Sequence, residues 1–437
     1  MAIQAVKGTR DLYPEDYAPI QRIFDAWRSV SLRHGFEEFE GPTLEYLELY
    51  REKSGDELVG QLFTLSDKGG RELALRPEMT PTLARMVAAR INTLAKPIKW
   101  FCIPKLFRGE NVQRGRLREF FQWNVDVIGT ADVIADAECI LVGIEGLREL
   151  GLTERDFAVH VSNRQLIGSI FSAAGIAADA HAGAYAILDK AGKFDEKELA
   201  RRWGERYEAS ISFARLMDLL KVDSLDGLRS AVLQIAENTA ELEAAFDETG
   251  RLLRILDEFG VGDFCKLNLR IVRGLAYYTG PVFEFLDRAE SERAICGGGR
   301  YDDLLGKLGK SKEPAVGFGM GDVVLSLMLK DRGLLTGATS IASVFVADAA
   351  DGLRDSLHPT VAALRRRGLA VEFSYAQQAI GKQLKAADKR GCRYAVILGD
   401  ETRDRGTVQI KAMQSGESRE VVLKDLLDRP EDFLTGQ

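Results

Sequence analysis

No apolar run in this 437-residue sequence approaches the roughly 18 residues that a membrane-spanning helix needs, so no membrane partner is expected. The first residues, Met1 to Lys7, lack a basic stretch followed by a long apolar core. No secretion signal is therefore expected, and the cytoplasm is the expected location. Cysteine is sparse. Cys102, Cys139, Cys265, Cys296 and Cys392 are odd in number, far apart and without a Cys-x-x-Cys pair, which argues against a disulfide framework or a structural zinc site. The four histidines, His34, His160, His181 and His358, are equally scattered, so no metal ligand set is expected from the chain. There is no internal repeat and no low-complexity tract. Positive charge is in deficit too. The net charge of −7 counts against nonspecific binding to nucleic acid, although it leaves room for a local basic surface.

What is present is ordinary for a soluble protein of two or three domains: 46% hydrophobic and 29% charged residues. One stretch breaks the acidic balance. Pro104 to Arg118 holds Lys105, Arg108, Arg114, Arg116 and Arg118 against the single acid Glu110. It is where an anionic ligand would be sought, although on charge alone a solvated charged face is the favoured explanation.

Apolar spacing predicts an amphipathic helix over 18–33, with Ile20, Ile23, Phe24, Trp27 and Val30 on one side. Gly41-Pro42 marks a break, and a second helix is expected over 81–92. Strands are expected over 98–103 and 120–128. In the second, Phe121, Trp123, Val125 and Val127 alternate with Phe120, Gln122, Asn124 and Asp126. The polar face fits a pocket and fits water equally well. From 163 to 258 the period is helical. Strand character returns over 266–272 and 281–286, which suggests a helical insertion into one sheet domain. Composition shifts around 333–339. Strands over 341–346, 370–373, 394–398 and 407–411 then alternate with helices over 356–367 and 382–390, an α/β unit that could fold alone. Residues 340–437 carry a net +1, which leaves −8 for the rest of the chain.

Four clusters carry chemistry. Phe107-Arg108-Gly109-Glu110, followed by Arg116, Arg118, Phe120 and Gln122, offers guanidinium forks that match phosphate oxygens. Leu75-Arg76-Pro77-Glu78-Met79-Thr80 places a carboxylate and a hydroxyl after a proline bend. Arg273 to Gly280 sets an arginine directly before a glycine and a tyrosine pair between two glycines. Gly297-Gly298-Gly299-Arg300-Tyr301-Asp302 and Gly317-Phe318-Gly319-Met320-Gly321 allow tight turns or close backbone approach to a ligand. Each alone is weak, and a glycine-rich stretch is more often a turn than a phosphate cradle.

In this order and spacing the clusters resemble the class II histidyl-tRNA synthetases. The resemblance covers nearly the whole chain, from Lys7-Gly8-Thr9-Arg10-Asp11 and Gly41-Pro42-x-Leu44-Glu45 to Lys382–Lys389. Its most specific element is Arg273-Gly274-Leu275-Ala276-Tyr277-Tyr278-Thr279-Gly280, which looks like that family's histidine-binding signature. The resemblance implies an α+β fold: an antiparallel sheet flanked by helices, a helical insertion and a C-terminal α/β anticodon-binding domain. It implies catalytic segments over 1–162 and 259–332, the insertion over 163–258 and the anticodon-binding domain over 340–437. The helix and strand around Pro42 look like the dimer-forming motif of class II enzymes, which implies a homodimer.

The implied reaction is activation of L-histidine by ATP, with Mg2+, and transfer to tRNA(His). Position by position, Arg108 and Arg273 would be the catalytic arginines on the α-phosphate. Glu110 would lie near the adenine, Arg116 at the terminal phosphates, and Phe120 could stack on the base. Glu78, Thr80, Gln122 and Asp126 would surround the histidine ammonium, and Arg273 its carboxylate. Tyr277 and Tyr278 would read the imidazole; a site that hydrogen-bonds a polar side chain rejects isosteres by roughly 10⁴–10⁵ without editing. Gln113 and Arg114 are candidates for the tRNA acceptor end.

One position departs from the family pattern. Its third motif usually carries an arginine on the adenine where this chain has Val324, in Gly321-Asp322-Val323-Val324-Leu325. That keeps a second reading open. A paralogue of these synthetases serves as the histidine-sensing regulatory subunit of ATP phosphoribosyltransferase. The C-terminal unit, which the paralogue generally lacks, and the intact Arg108, Arg116 and Arg273 favour the synthetase. A nucleic-acid-binding module without catalysis would leave the histidine-pocket residues unexplained.

Overall fold

The computed structural model describes residues 3–51, 60–191, 194–207, 211–235, 237–271, 278–289, 294–303, 305–306, 312–335, 344–350 and 352–434. The chain divides into two compact units, Met1–Thr336 and Gly337–Gln437.

In the first unit, nine strands form one sheet among the described residues. Its middle is antiparallel. The order runs Ile98–Cys102, Glu119–Ile128, Ala315–Gly321, Cys296–Arg300, Pro281–Asp287, Phe157–Asn163. The outermost pairs differ from the antiparallel expectation. Glu37–Glu38 runs parallel to Ile98–Cys102, and Cys265–Leu267 runs parallel to Phe157–Asn163.

The alternation in Glu119–Ile128 decides which face is core. Trp123, Val125 and Val127 join a large apolar cluster with Phe283, Phe285, Val316 and Phe318. Helix Pro14–Arg33 buries Ile20, Ile23, Trp27 and Val30, and Trp27 stacks on Trp123 with ring centroids 5.7 Å apart. Helix Ile134–Glu149 packs closer still, because Gly143 and Gly146 face the rings of Phe285 and Trp123. A β-carbon at either glycine would lie within 2.6 Å of a ring atom. The strand's other face carries Asn124 and Asp126, both buried, so the polar row faces a pocket and not water.

Asn163 explains why strand gives way to helix where the period changes. Its side chain accepts hydrogen bonds from the backbone N–H groups of Gln165 and Leu166, capping helix Arg164–Ala173. Further helices run to Ala240–Glu258 around their own core, which includes Leu166, Phe171, Trp203, Leu216 and Phe246. The strand expected over 266–272 stops at Leu267, because Asn268 turns the chain by accepting from the Arg270 N–H at 3.2 Å. A small antiparallel sheet of Leu44–Tyr46, Glu72–Leu75 and Thr64–Ser66 was not anticipated; its strands are too short to show a period.

The second unit holds a five-stranded sheet. Val371–Phe373, Val344–Asp348 and Tyr394–Leu398 are parallel, and Thr407–Ala412 and Ser418–Val422 add antiparallel strands. Helices Arg354–Arg366 and Ile380–Lys389 connect the parallel strands. Ser418–Val422 escaped the sequence reading because it is almost wholly exposed and polar.

Candidate active site

Both glycine runs prove to be strands, neither turns nor phosphate loops. Cys296–Arg300 and Ala315–Gly321 pair with each other, Gly297 opposite Gly319 and Gly299 opposite Gly317. The second also pairs with Glu119–Ile128, Gly317 opposite Asp126. The missing side chains make room. A β-carbon on Gly317 would sit 2.1 Å from Asp126 Oδ1, and one on Gly319 would sit 2.8 Å from the Gln122 amide. Gly297 has open space above it. The site is thus a floor of bare backbone overhung by side chains from the neighbouring strand.

A cleft of about 810 Å³ lies over this floor, lined among others by Arg108, Glu110, Arg116, Phe120, Gln122 and Glu284. A smaller recess opens beside it, lined by Glu78, Thr80, Asn124, Asp126, Tyr278 and Tyr301. Arg108, Gln122, Gly297 and Gly319 line both, so the two are neighbouring compartments. The first collects the residues expected at ATP, the second those expected at histidine. Arg273 and Tyr277 lie outside the described residues.

Local structure aims each group. Arg108 follows strand Lys105–Phe107; its backbone N–H donates to Arg118 O at 2.9 Å. Its side-chain Nε donates to Pro77 O at 2.9 Å, and its guanidinium lies 5.3 Å over the Phe120 ring. One face of that ring is therefore covered by a cation. Glu110 pairs with Arg116 across a loop that turns between Gln113 and Arg116, with Gly115 at φ +73°. Gln113 and Arg114 are exposed at the tip, where Arg114 reaches Asp331 at 3.1 Å. Thr80 opens helix Thr80–Arg90, and Glu78, just before it, is buried.

Burial sets the electrostatics. The Asp126 carboxyl, 4% exposed, is pushed up to about 7 by desolvation, against the pull of a hydrogen bond donated by Tyr301. Burial raises the Tyr278 hydroxyl, helped by the carboxylates of Glu78 and Asp126, so it stays a neutral phenol. A nearly dry carboxyl poised at neutrality suits a ligand that brings its own cation.

Several contributors were missed. Tyr301 follows one of the glycine runs and carried no expected role, and Asn124 shared the polar face without being singled out. Arg76 is buried and holds the wall together through Glu40, Gly41 O at 2.7 Å and Lys105 O at 3.1 Å. Val324 is buried at the cleft, in helix Asp322–Asp331. That helix starts on Asp322, whose carboxylate accepts from the Phe121 N–H at 2.8 Å and from Arg10 at 2.7 Å. Arg118 N donates to Gly8 O at 2.9 Å, so the Lys7–Asp11 segment is laced to the basic loop.

With that geometry in place, comparison with known proteins is decisive. Residues 8–322 match the family described as histidyl-tRNA synthetase, and residues 343–430 match one described as anticodon binding domain. The chain belongs to the histidyl-tRNA synthetase family. It is accordingly an enzyme, a ligase that charges tRNA with histidine. A relative from Opitutus terrae named Histidine--tRNA ligase is 37% identical over 99% of each chain. A chloroplastic/mitochondrial Histidine--tRNA ligase of Arabidopsis thaliana is 35% identical over 96% of this chain and 85% of its own. The crystal structure of histidyl-tRNA synthetase from Nostoc sp. PCC 7120 superposes with a TM-score of 0.82 at 26% identity, covering 99% of both chains. A Bacillus halodurans structure titled ATP phosphoribosyltransferase regulatory subunit/histidyl-tRNA synthetase has a TM-score of 0.74 at 24% identity, over 91% of this chain and 99% of its own; at that identity it shares the fold alone. The sensing-subunit alternative gains nothing from it.

Proposed function

We propose that the larger compartment binds ATP, the recess binds histidine, and the floor between them is where the two react. The observation that carries this is the pair of compartments joined at Arg108 and Gln122. A histidine carboxylate oxygen attacks the α-phosphorus in line and pyrophosphate leaves, giving a histidyl adenylate. A hydroxyl of the terminal ribose of tRNA(His) then attacks the acyl carbon and AMP leaves. No protein nucleophile takes part. The chain contributes orientation and charge. Arg108, already fixed on Pro77 O, neutralises charge growing on the α-phosphate, with Arg273 assigned beside it from the signature. Glu78, Gln122 and Asp126 hold the ammonium, with Thr80 at the rim, and Tyr277 and Tyr278 read the imidazole. Arg116, released from Glu110, serves the terminal phosphates while Phe120 faces the adenine.

Among the described residues no group of three or more His, Cys, Asp or Glu could cage a metal ion. The carboxylates of Glu110 and Glu284 line the cleft. Glu284, the acid of the cleft not assigned to the adenine, would be the protein ligand for magnesium, which keeps few protein ligands and travels on phosphates. When bound it supplies charge neutralisation there.

The homodimer rests on the small sheet. Leu44, Tyr46 and Leu65 are exposed on it, an apolar face suited to a second copy. The proposed place of work is the cytoplasm. No described helix is long and apolar enough to cross a membrane.

The deciding experiment is ATP–pyrophosphate exchange with each of the twenty amino acids. Exchange should depend on histidine and on magnesium. Equal exchange with another amino acid, or none with any, overturns the proposal.

A further inference from the structure

The N-terminal segment lies beside the cleft without lining it. Gly8, at φ +89°, lets the chain turn onto the basic loop; a β-carbon there would sit 2.8 Å from Arg118 Cγ and from Val112 Cγ2. Arg118 grips the segment with both backbone and side chain. Its N–H donates to Gly8 O at 2.9 Å, a guanidinium nitrogen donates to Lys7 O at 3.4 Å, and Nε donates to Glu110 O at 3.2 Å. Its own carbonyl accepts from the Arg108 N–H at 2.9 Å. One residue therefore joins Lys7–Asp11 to Arg108 and to the loop that carries Arg116.

A second tie anchors the same segment. Arg10 reaches Asp322 Oδ2 at 2.7 Å, while Asp322 Oδ1 accepts from the Phe121 N–H at 2.8 Å. Asp322 is fully buried and joins two walls of the larger compartment. One is strand Glu119–Ile128, with Phe120 and Gln122; the other is the helix that begins Asp322-Val323-Val324. Burial raises the Asp322 carboxyl, and Arg10 is the cation that pulls it back. Neither valine brings charge to the cleft, so the cation at this helix start comes from the N-terminal segment. The placement is not free of cost. Arg10 Nε is buried with no acceptor among the described residues, and a buried donor left unpaired calls for a reason beyond packing.

We propose that Arg10 is a positioning residue for ATP: paired to Asp322, it straps the N-terminal segment across the basic loop, so that Arg118 keeps Arg108 and Arg116 over the nucleotide. Arg10 itself touches no substrate. It acts through Asp322 on the cleft walls and through Gly8 and Lys7 on Arg118. The recess proposed for histidine is held from other elements: Tyr301 serves Asp126, and Thr80 opens a helix of its own. The effect of a loose strap therefore falls on ATP. The inference rests on the proposed ATP compartment and deepens it by naming what keeps the basic loop in place.

The test is ATP–pyrophosphate exchange by the full chain, with histidine binding measured by calorimetry in the absence of ATP. Arg10→Ala should raise KM for ATP about tenfold or more, within the roughly 10² that a misplacement far from the chemistry can cost. Its Kd for histidine should change by less than about twofold. Arg10→Lys should recover most of the loss, since the contact to Asp322 uses a single nitrogen. Gly8→Ala pushes the segment off Arg118 and leaves no buried charge unpaired. It should raise KM for ATP in the same way, even if Arg10→Ala fails to fold. In both alanine variants hydrogen exchange should quicken at the Arg108 and Arg118 amides while helix Ile134–Glu149 keeps its protection. A KM for ATP within about twofold of wild type overturns the strap in folded Gly8→Ala and the role of Arg10 in folded Arg10→Ala. Equal losses for ATP and histidine, or faster hydrogen exchange throughout the unit, show a structural role alone and overturn the proposal too. If Phe120→Ala and Arg116→Ala also leave KM for ATP unchanged, it is the ATP compartment that is struck.

Discussion

Asp126 and Asp136 are both buried, and both are served from the end of one strand, where Arg300 and Tyr301 follow each other. Arg300 reaches Asp136 with two nitrogens and adds the carbonyls of Thr130 and Asp132 at 3.1 and 3.2 Å. Asp136 also lies in the first turn of helix Ile134–Glu149, where the peptide dipoles favour an anion. Burial pushes its carboxyl up to about 6 while Arg300 pulls it down, so it stands ionised at neutrality. Asp126 has a phenol instead of a guanidinium, and its carboxyl stands at about 7. On the proposed reading, the difference separates a carboxylate that holds the fold from one kept for a cation that comes with the substrate. Stability and function would thereby be divided between the partners of two neighbouring residues, Arg300 and Tyr301.

The comparison breaks most visibly at Arg300. Arg300→Ala leaves Asp136 buried without its cation and should cost roughly 3–5 kcal/mol in urea unfolding. Tyr301→Phe removes one hydroxyl and should cost no more than about 1.5 kcal/mol. Equal losses in the two variants would erase the distinction.

Asp126→Asn comes next in size. The folded carboxyl lies at about 7, above its unfolded value, so the folded state holds the proton more tightly. Stability therefore falls as pH rises between the two values, and the penalty is complete above neutrality. Asp126→Asn should be more stable than wild type at pH 8, by about 1.4 kcal/mol for every tenfold by which folding tightens the carboxyl's hold on its proton. It should lose that advantage below about pH 4. Its KM for histidine should meanwhile rise about tenfold or more, since hydrogen bonds to charged groups contribute roughly 1.5–3 kcal/mol. In wild type that KM should climb as pH drops below about 7. Tyr301→Phe should move the climb to higher pH, because its hydrogen bond holds the carboxyl down. A wild-type profile identical to that of Asp126→Asn would show only the substrate's imidazole titrating.

The smallest contrast is within the compartment proposed for ATP. Phe120→Ala should raise KM for ATP by the equivalent of roughly 1–3 kcal/mol, the range of aromatic–base stacking. Val324→Ala, which trims an apolar wall, should change it by less than about twofold. A larger effect at Val324 would show that valine contacts the nucleotide.

Sequence periodicity revealed the polar face of Glu119–Ile128, because alternation is a property of one strand. It could not reveal what lay opposite. That Gly317 faces Asp126 is a matter of register between segments far apart in the chain, and no local pattern encodes it. For the same reason the glycine runs suggested turns: glycine is poor in strands, and only the overhanging side chains explain it here. Tyr301 was visible as a residue but not as a partner of Asp126, since the pair is 175 positions apart. The small sheet around Leu44 was hidden by brevity, the strand Ser418–Val422 by its polarity. The family resemblance supplied what spacing could not, above all the roles given to Arg273 and Tyr277.

The bare floor has a consequence for inheritance. Every missense change in a glycine codon adds at least one carbon, so Gly298, Gly317 and Gly319 have no conservative neighbour in the genetic code. At Gly298 the new atom would meet Gly317 O, the Phe283 ring and the Phe318 β-carbon, all at 2.6 Å. Gly297 and Gly321, in the same two runs, would meet nothing within 4 Å. Lesions in a single short tract should therefore split into two classes: those at Gly298, Gly317 and Gly319 that clash within the fold, and those at Gly297 and Gly321 that fold but intrude on the cleft. The first class would disable the enzyme while every side chain that lines the cleft remained intact.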